Sequence, residues 1–259
     1  MLQEQFARTQ MLLGEAAMQR LAGARVAIFG IGGVGGYVSE GLARSGVGAL
    51  DLIDFDTVSI TNLNRQIIAT WDTIGRYKVD VMAERIGSIN PECRVNIHKT
   101  FYLPGTGEAF DFREYDYVVD AIDTVAGKLA LVEAAKKAGT PIICAMGAGN
   151  KLDASAFRVA DIYATSVCPL AKVIRRECRK RGIDSLKVVY SEEEPVRPLM
   201  PASEPAAEEP VPEGSAGSPA PAGKKPSESP GKRVPGSVAF APSVMGLIIA
   251  GEVVKDLIK

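Results

Sequence analysis

Histidine, tryptophan and cysteine are scarce in this chain: one His, one Trp and four Cys in 259 residues, with aromatic side chains at 6%. The lone histidine, His98, excludes a His-rich metal site, and no Ser-His-Asp or Cys-His arrangement gathers around it. It reads as a strand-end residue without catalytic duty. Cys93, Cys144, Cys168 and Cys178 form no CxxC pair and lie far apart, which argues against structural zinc or a disulfide framework and for a cytoplasmic location. Cys168 precedes Pro169 at a predicted helix start, where a thiol pKa can fall; an ordinary packed residue is the other reading.

Charge of neither sign is in excess. Thirty Lys+Arg against 31 Asp+Glu give a formal net charge of -1, so any basic surface must be local. No basic segment followed by an apolar run opens the chain, so no secretory signal is expected. The best membrane candidate, 244–258, is interrupted by Glu252, Lys255 and Asp256. A span needs about 20 mostly apolar residues, so the stretch reads as a buried C-terminal helix and no integral membrane insertion is expected. With 46% hydrophobic and 24% charged residues, the composition is that of a globular protein.

Proline is unevenly spread, with 11 of 16 between positions 195 and 236, among Ala, Gly, Ser and Glu. Such a stretch has too little apolar surface to offset its ordering entropy and predicts a disordered loop over 195–236. The apolar piece 237–259 must then return to the core of 1–194, giving one domain with a long insertion.

Between positions 25 and 146 short apolar runs alternate with helical periodicities, the pattern of an α/β, Rossmann-like, mostly parallel sheet with helices on both faces. Strands are predicted at 26–29, 50–53, 94–97, 117–119 and 142–144, and helices at about 34–45, 76–89 and 125–138. Beyond Gly147 the alternation weakens into a smaller mixed C-terminal region of strands and one basic helix.

Gly30-Ile31-Gly32-Gly33-Val34-Gly35 is a G-x-G-x-x-G placed after a predicted strand and opening a predicted helix. Glycine permits the turn and close approach of backbone to phosphate, and free N–H groups at the helix start attract anions. Asp54 ends the second strand 24 residues after Gly30, where a carboxylate can accept ribose hydroxyls. NAD is the commonest user of this loop, and a purely structural glycine turn is the bland alternative. Arg65 and Lys78 shift the balance. A dinucleotide on a helix end needs neither, whereas a carboxylate attacking the α-phosphate of a triphosphate meets repulsion that a forked guanidinium and a mobile ammonium offset. Asp123 ends the fourth strand, in the ligand crevice of an open sheet, and is placed to hold Mg²⁺. Asp120 reads as structural, capping a turn, while Asp56 is either a turn residue or a support behind a ligand.

Gly30 to Gly36, Leu52-Ile-Asp54-Phe-Asp56, Thr61-Asn62-Leu-Asn-Arg65-Gln66, Gly75-Arg-Tyr-Lys78, Ile89-Asn90-Pro91 and Asp120-Ala-Ile-Asp123 together resemble the ThiF/MoeB-like adenylating enzymes related to ubiquitin activation. That resemblance implies that Asp54 binds the ribose of ATP, that Asn62, Arg65 and Lys78 bind its phosphates, and that Asp123 acts near the metal. It also implies a homodimer in which Arg8 reaches the partner's site. Within the group the chain is most similar to the tRNA threonylcarbamoyladenosine dehydratases, through stretches such as Met146-Gly-Ala-Gly-Asn150-Lys-Leu-Asp153 and Phe240-Ala-Pro242-Ser-Val. The activity implied is ATP-dependent cyclisation of that modified nucleoside in tRNA through an acyl-adenylate, catalysed by Arg65, Lys78, Asp123 and Arg8.

A tRNA substrate demands positive surface despite the neutral chain. The predicted basic helix supplies Lys172, Arg175, Arg176 and Arg179, with Lys180 and Arg181, against Glu177; a solvated helix face is the bland reading. Lys151 and Lys187 would extend the patch. A monovalent cation and a sulfur-transfer protein partner stay open. The alternative functions are adenylation of a ubiquitin-like sulfur carrier, a non-catalytic nucleotide-binding scaffold and, more distantly, an NAD oxidoreductase.

Overall fold

The structure, a computed structural model, describes residues 4–105, 110–199 and 235–259. In chain order the elements are α1 (Ala7–Leu13), α2 (Glu15–Gly23), β1 (Arg25–Phe29), α3 (Gly35–Arg44), β2 (Ala49–Ile53), α4 (Lys78–Ile89) and β3 (Arg94–His98). Then follow β4 (Tyr117–Asp120), α5 (Val125–Ala138), β5 (Ile142–Ala145), β6 (Phe157–Asp161), α6 (Pro169–Lys180), β7 (Lys187–Ser191) and α7 (Phe240–Leu257). The strands form one seven-stranded sheet in the order β3-β2-β1-β4-β5-β7-β6. Every neighbouring pair is parallel except β6 with β7. This is the α/β, mostly parallel fold anticipated from the apolar alternation, with the mixed region at one edge.

Side chains alternate across the sheet and divide the interior in two. Val26 and Ile28 of β1 join one core with Leu50, Leu52 and Val119, beneath α2, α3, α4 and α7. Ala27 and Phe29 face the other core, with α5, α6 and the rings of Tyr102, Phe110, Phe112 and Tyr115. Strands buried on both faces need near-continuous apolar sequence, which is why their runs are visible. Asp51 in β2 and Asp120 at the end of β4 are buried carboxylates among these apolar runs, and that of Asp51 is met by Arg25 at 2.8 Å, Asn96 and His98 at 3.1 Å. His98 thus serves a buried carboxylate at the end of β3.

The predicted C-terminal helix begins four residues earlier than its apolar run, because Pro242 stands in the first turn, where a missing N–H costs nothing. Helix α7 crosses α3 at close range. A Cβ on Gly246 would lie 2.5 Å from the Val34 carbonyl oxygen, and one on Gly41 2.7 Å from the Ala250 Cβ. No helix among the described residues is long and apolar enough to cross a membrane. Of the loop predicted over 195–236, residues 200–234 lie outside the described residues. Its flanks meet at Asn150, which accepts Val196 N–H on its carbonyl at 2.8 Å and Gly236 N–H on Oδ1 at 2.7 Å.

Candidate active site

The strand order reverses between β1 and β4, and in an open parallel sheet the crevice beyond the strand ends at such a point is where ligands bind. The glycine loop leaves β1 there. Gly30 has φ +92, and a Cβ on it would stand 2.7 Å from the Ala121 carbonyl oxygen. A Cβ on Gly35 would fall 1.8 Å from the Gly30 carbonyl oxygen, so no other residue fits. Val34 at the start of α3 provides no side-chain cap, and Gly32 and Gly33 N–H groups find no acceptor among the described residues. These donors are left for an anion.

Asp54 closes the floor of the crevice. Its Oδ2 accepts Ile31 N–H at 2.7 Å and its Oδ1 accepts Asp56 N–H at 2.8 Å, tying the end of β2 to the glycine loop. Burial pushes its pKa above the usual carboxylate value, against the lowering field of Lys78. Lys78 opens α4, is itself buried, and places Nζ 3.0 Å from Asp56 Oδ2. Asp56 therefore forms the turn and also holds Lys78.

A 3-10 turn at Ile60–Asn62 carries Arg65. Asn62 builds that turn, with Oδ1 accepting Ser59 N–H at 3.1 Å and its carbonyl accepting Arg65 N–H at 3.0 Å; Nδ2 remains a donor. Arg65 Nη1 donates to the Thr61 carbonyl and to Asn64 Oδ1, both at 2.9 Å. No carboxylate among the described residues pairs with it. Burial lowers its pKa, the mark of a cation taken partly out of water without a counter-ion. The bare side of Gly33 faces this side chain: a Cβ there would sit 3.6 Å from Arg65 Cγ and 3.3 Å from Pro242. Gln66 points its Nε2 towards Gly32, while its buried Oε1 has no partner.

Asp123 is exposed at the end of the β4–α5 turn. No group of three His, Cys, Asp or Glu among the described residues could hold a metal alone. One free carboxylate fits an ion that arrives with phosphates and keeps water ligands, as Mg²⁺ does. Asp120 lies behind it, fully buried, capping the turn through Ile122 N–H at 3.2 Å.

The structure does not bring Arg8 into this crevice. It stands exposed on α1, two residues after Phe6, which packs under Gly46 where the chain enters β2 from the opposite end of the strands. Lys172, Arg175, Arg176 and Arg179 do converge, lining with Val173 an open cavity of about 290 Å³ on α6. Their charge is not all free. Arg175 donates to the Thr165 carbonyl and hydroxyl, Arg179 lies over the Tyr163 ring, and Arg176 shares Glu177 with Lys180 and Arg181. Arg181 chiefly, with Lys180 and Arg176, holds the Glu177 carboxyl at about 2. Lys151 and Lys187 do not extend the patch. Lys187 is bound by Glu252 at 2.6 Å and Asp256 at 2.8 Å, and buried Lys151 donates to the Glu193 carbonyl. All four cysteines are buried, Cys168 included.

Residues 5–259 match the ThiF family. The chain belongs to that family. Among the relatives of this ThiF-family chain, the tRNA threonylcarbamoyladenosine dehydratase of Bacillus subtilis is 42% identical over 256 residues, covering 98% of this chain and 95% of the relative. Two crystal structures of the Escherichia coli tRNA N6-threonylcarbamoyladenosine dehydratase TcdA are similar over 98% of this chain. The complex with AMP has a TM-score of 0.81 at 33% identity and 94% coverage of that chain; the complex with ATP has 0.78 at 32% and 93%. The glycine cradle, the unpaired Arg65 and the free Asp123 fit a nucleoside triphosphate in this ThiF-family crevice.

Proposed function

We propose that this protein is an ATP-dependent tRNA threonylcarbamoyladenosine dehydratase working in the cytoplasm. Arg65, a half-buried guanidinium beside the glycine loop with no carboxylate partner among the described residues, is the observation that carries the reading. A pyridine dinucleotide leaves that charge unexplained, whereas a triphosphate neutralises it.

In the proposed reaction an oxygen of the threonyl carboxylate forms a bond to the α-phosphorus of ATP, and the bond to the departing pyrophosphate breaks. A neighbouring group of the same modified side chain then bonds to the acyl carbon, closes a ring and expels AMP with the former carboxylate oxygen. One water is lost overall. Asp54 accepts the ribose hydroxyls, the Gly32 and Gly33 N–H groups and Asn62 hold phosphate, and Arg65 and Lys78 offset the charge that builds on the leaving group. Mg²⁺, held by Asp123 and the phosphates, would add a further positive charge at the departing oxygen. Ring closure is intramolecular, so no enzyme nucleophile is needed; effective molarities on the order of 10⁵ M or more are attainable. Four buried cysteines agree with a reaction that uses no enzyme thioester.

The α6 cavity is the proposed tRNA contact. Reversing Arg176 and Arg179 to Glu should weaken tRNA binding and flatten its log–log salt slope by roughly 0.9 for each phosphate no longer neutralised, with ATP affinity as the check on folding. A homodimer that delivers Arg8 to the second copy is supported by α1, which buries none of its side chains and leaves Met11 84% and Leu12 87% exposed.

Mass spectrometry of nucleosides from threonylcarbamoylated tRNA, incubated with protein and MgATP, tests the function. Loss of one water from the modified nucleoside is expected. An unchanged nucleoside, with pyrophosphate released instead on a Gly-Gly-ended carrier protein, would replace this reading by the other.

A further inference from the structure

The turn that presents Asp123 is anchored from beneath by a side chain on the first turn of α5. Lys128 is fully buried, and its Nζ donates to both carboxylate oxygens of Asp120 at 3.1 Å and to the Ala145 carbonyl at 2.7 Å. An ammonium has three protons, so its donors are all used. The ends of β4 and β5 are thereby joined to the start of α5. Asp120 Oδ1 also accepts Ile122 N–H at 3.2 Å, which fixes the backbone one residue before Asp123. Ala121, between them, donates its N–H to the Phe29 carbonyl at 2.8 Å and sets its own carbonyl oxygen where a Cβ on Gly30 would be 2.7 Å away. One buried ion pair therefore underlies both walls of the crevice: the glycine loop and the Asp123 turn.

Stability alone does not account for it. Taking two charges out of water is costly, and apolar replacements of buried pairs are often neutral or stabilising. A pair of this kind does fix position, because an ammonium between two carboxylate oxygens and a carbonyl tolerates little displacement before a buried donor is left unsatisfied.

We propose that Lys128 is a positioning residue of the nucleotide site: through Asp120 it holds the β4–α5 turn so that Asp123 faces the magnesium-bound triphosphate. This rests on the assignment of Asp123 to the metal in the proposed function. The test compares wild type, Asp123→Asn, the double variant Asp120→Asn/Lys128→Met and the triple variant. The double variant removes the pair without leaving one buried charge alone. Calorimetry gives the ATP Kd of each in Mg²⁺ and in EDTA, and thermal melts report folding.

Magnesium should tighten ATP binding to the wild type, and the ratio of the EDTA Kd to the Mg²⁺ Kd should fall about tenfold in the folded double variant. Adding Asp123→Asn should lower it no further, since coupled residues are not additive. A folded double variant with the wild-type ratio, or a loss additive with that of Asp123→Asn, overturns the role of Lys128. If Asp123→Asn alone leaves the ratio unchanged, the metal assignment itself fails and the proposal with it. Should the double variant not fold, Lys128→Arg keeps the charge but displaces the Ala145 contact. Its ratio should fall in the same sense, and an unchanged ratio in folded protein refutes the proposal.

Discussion

Arg65 is held by two hydrogen bonds through one nitrogen, to the Thr61 carbonyl and Asn64 Oδ1, which leaves Nε and Nη2 as donors among the described residues. Charge-assisted bonds to phosphate contribute about 1.5–3 kcal/mol, so Arg65→Ala should weaken ATP binding roughly 10- to 150-fold by calorimetry. Lys at this position should recover little, because a point charge cannot both donate to Asn64 and fork onto phosphate. Asp54 gives a pH test. If it holds the ribose as proposed, its raised pKa means that protons compete with ribose for the carboxylate at a pH above the ordinary aspartate value of about 3.9. The nucleotide prefers the ionised form, so Kd should rise as pH falls through the raised value, and be flat above it. Dividing the ATP Kd by that of 2′,3′-dideoxy-ATP removes phosphate titration; a ratio flat down to pH 4 would refute the assignment. Both residues are legible because the chemistry sits in short contiguous motifs. Lys128 is not, since nothing in Val125-Ala-Gly-Lys128 reveals that its ammonium meets Asp120 eight residues back, inside the protein.

Elements are legible to the extent that burial is two-sided. Four of the five predicted strands recur nearly residue for residue because they are buried on both faces; β3, at one sheet edge with Arg94 and Ile97 exposed, is visible through Val95 and Ile97 alone, and β6, at the other edge with Arg158 and Val159 exposed, gives no clear run. Lys151 and Lys187 look like surface charges in the sequence for the same reason that Lys128 escapes notice there. Their partners, Glu193 and the Glu252–Asp256 pair on α7, are distant in sequence. Helix α7 matters to the crevice in a way its own sequence does not disclose. Gly246 lets it press on Val34 and Tyr37, at the very start of α3, and Pro242 touches the bare side of Gly33. Gly246→Ala should therefore cost about 1–3 kcal/mol of stability and also weaken ATP binding, since the strain lands on the phosphate loop. Gly251→Ala, on the same helix with open space around it, should do neither. Thermal melts with ATP titrations separate the two; equal effects at both positions would show that α7 carries no message to the loop.

At the scale of the molecule, the crevice of one chain has Arg65, Lys78 and Asp123 at hand but not Arg8, which stands at the other end of the strands next to exposed Met11 and Leu12. An apolar, unburied helix in a chain of net charge -1 is the kind of surface that a second copy covers without electrostatic penalty. If Arg8 serves the neighbouring copy, Arg8→Ala and Arg65→Ala inactivate different halves of the same composite site. Each variant alone should be inactive in the nucleoside assay. Mixing them after subunit exchange forms mixed dimers in which the chain keeping Arg65 receives Arg8 from its neighbour, while the other site lacks both. Random pairing makes about half the dimers mixed, with one working site in each, so activity should return to roughly one quarter of wild type. Exchange of Arg65→Ala with Lys78→Ala is the control. Both lesions then lie in the crevice that each chain builds for itself, and no pairing reunites them. An Arg8 mixture that stays as inactive as the control would mean that Arg8 acts within its own chain or not at all, because a residue delivered across an interface can be supplied by either copy, whereas a residue of the crevice cannot.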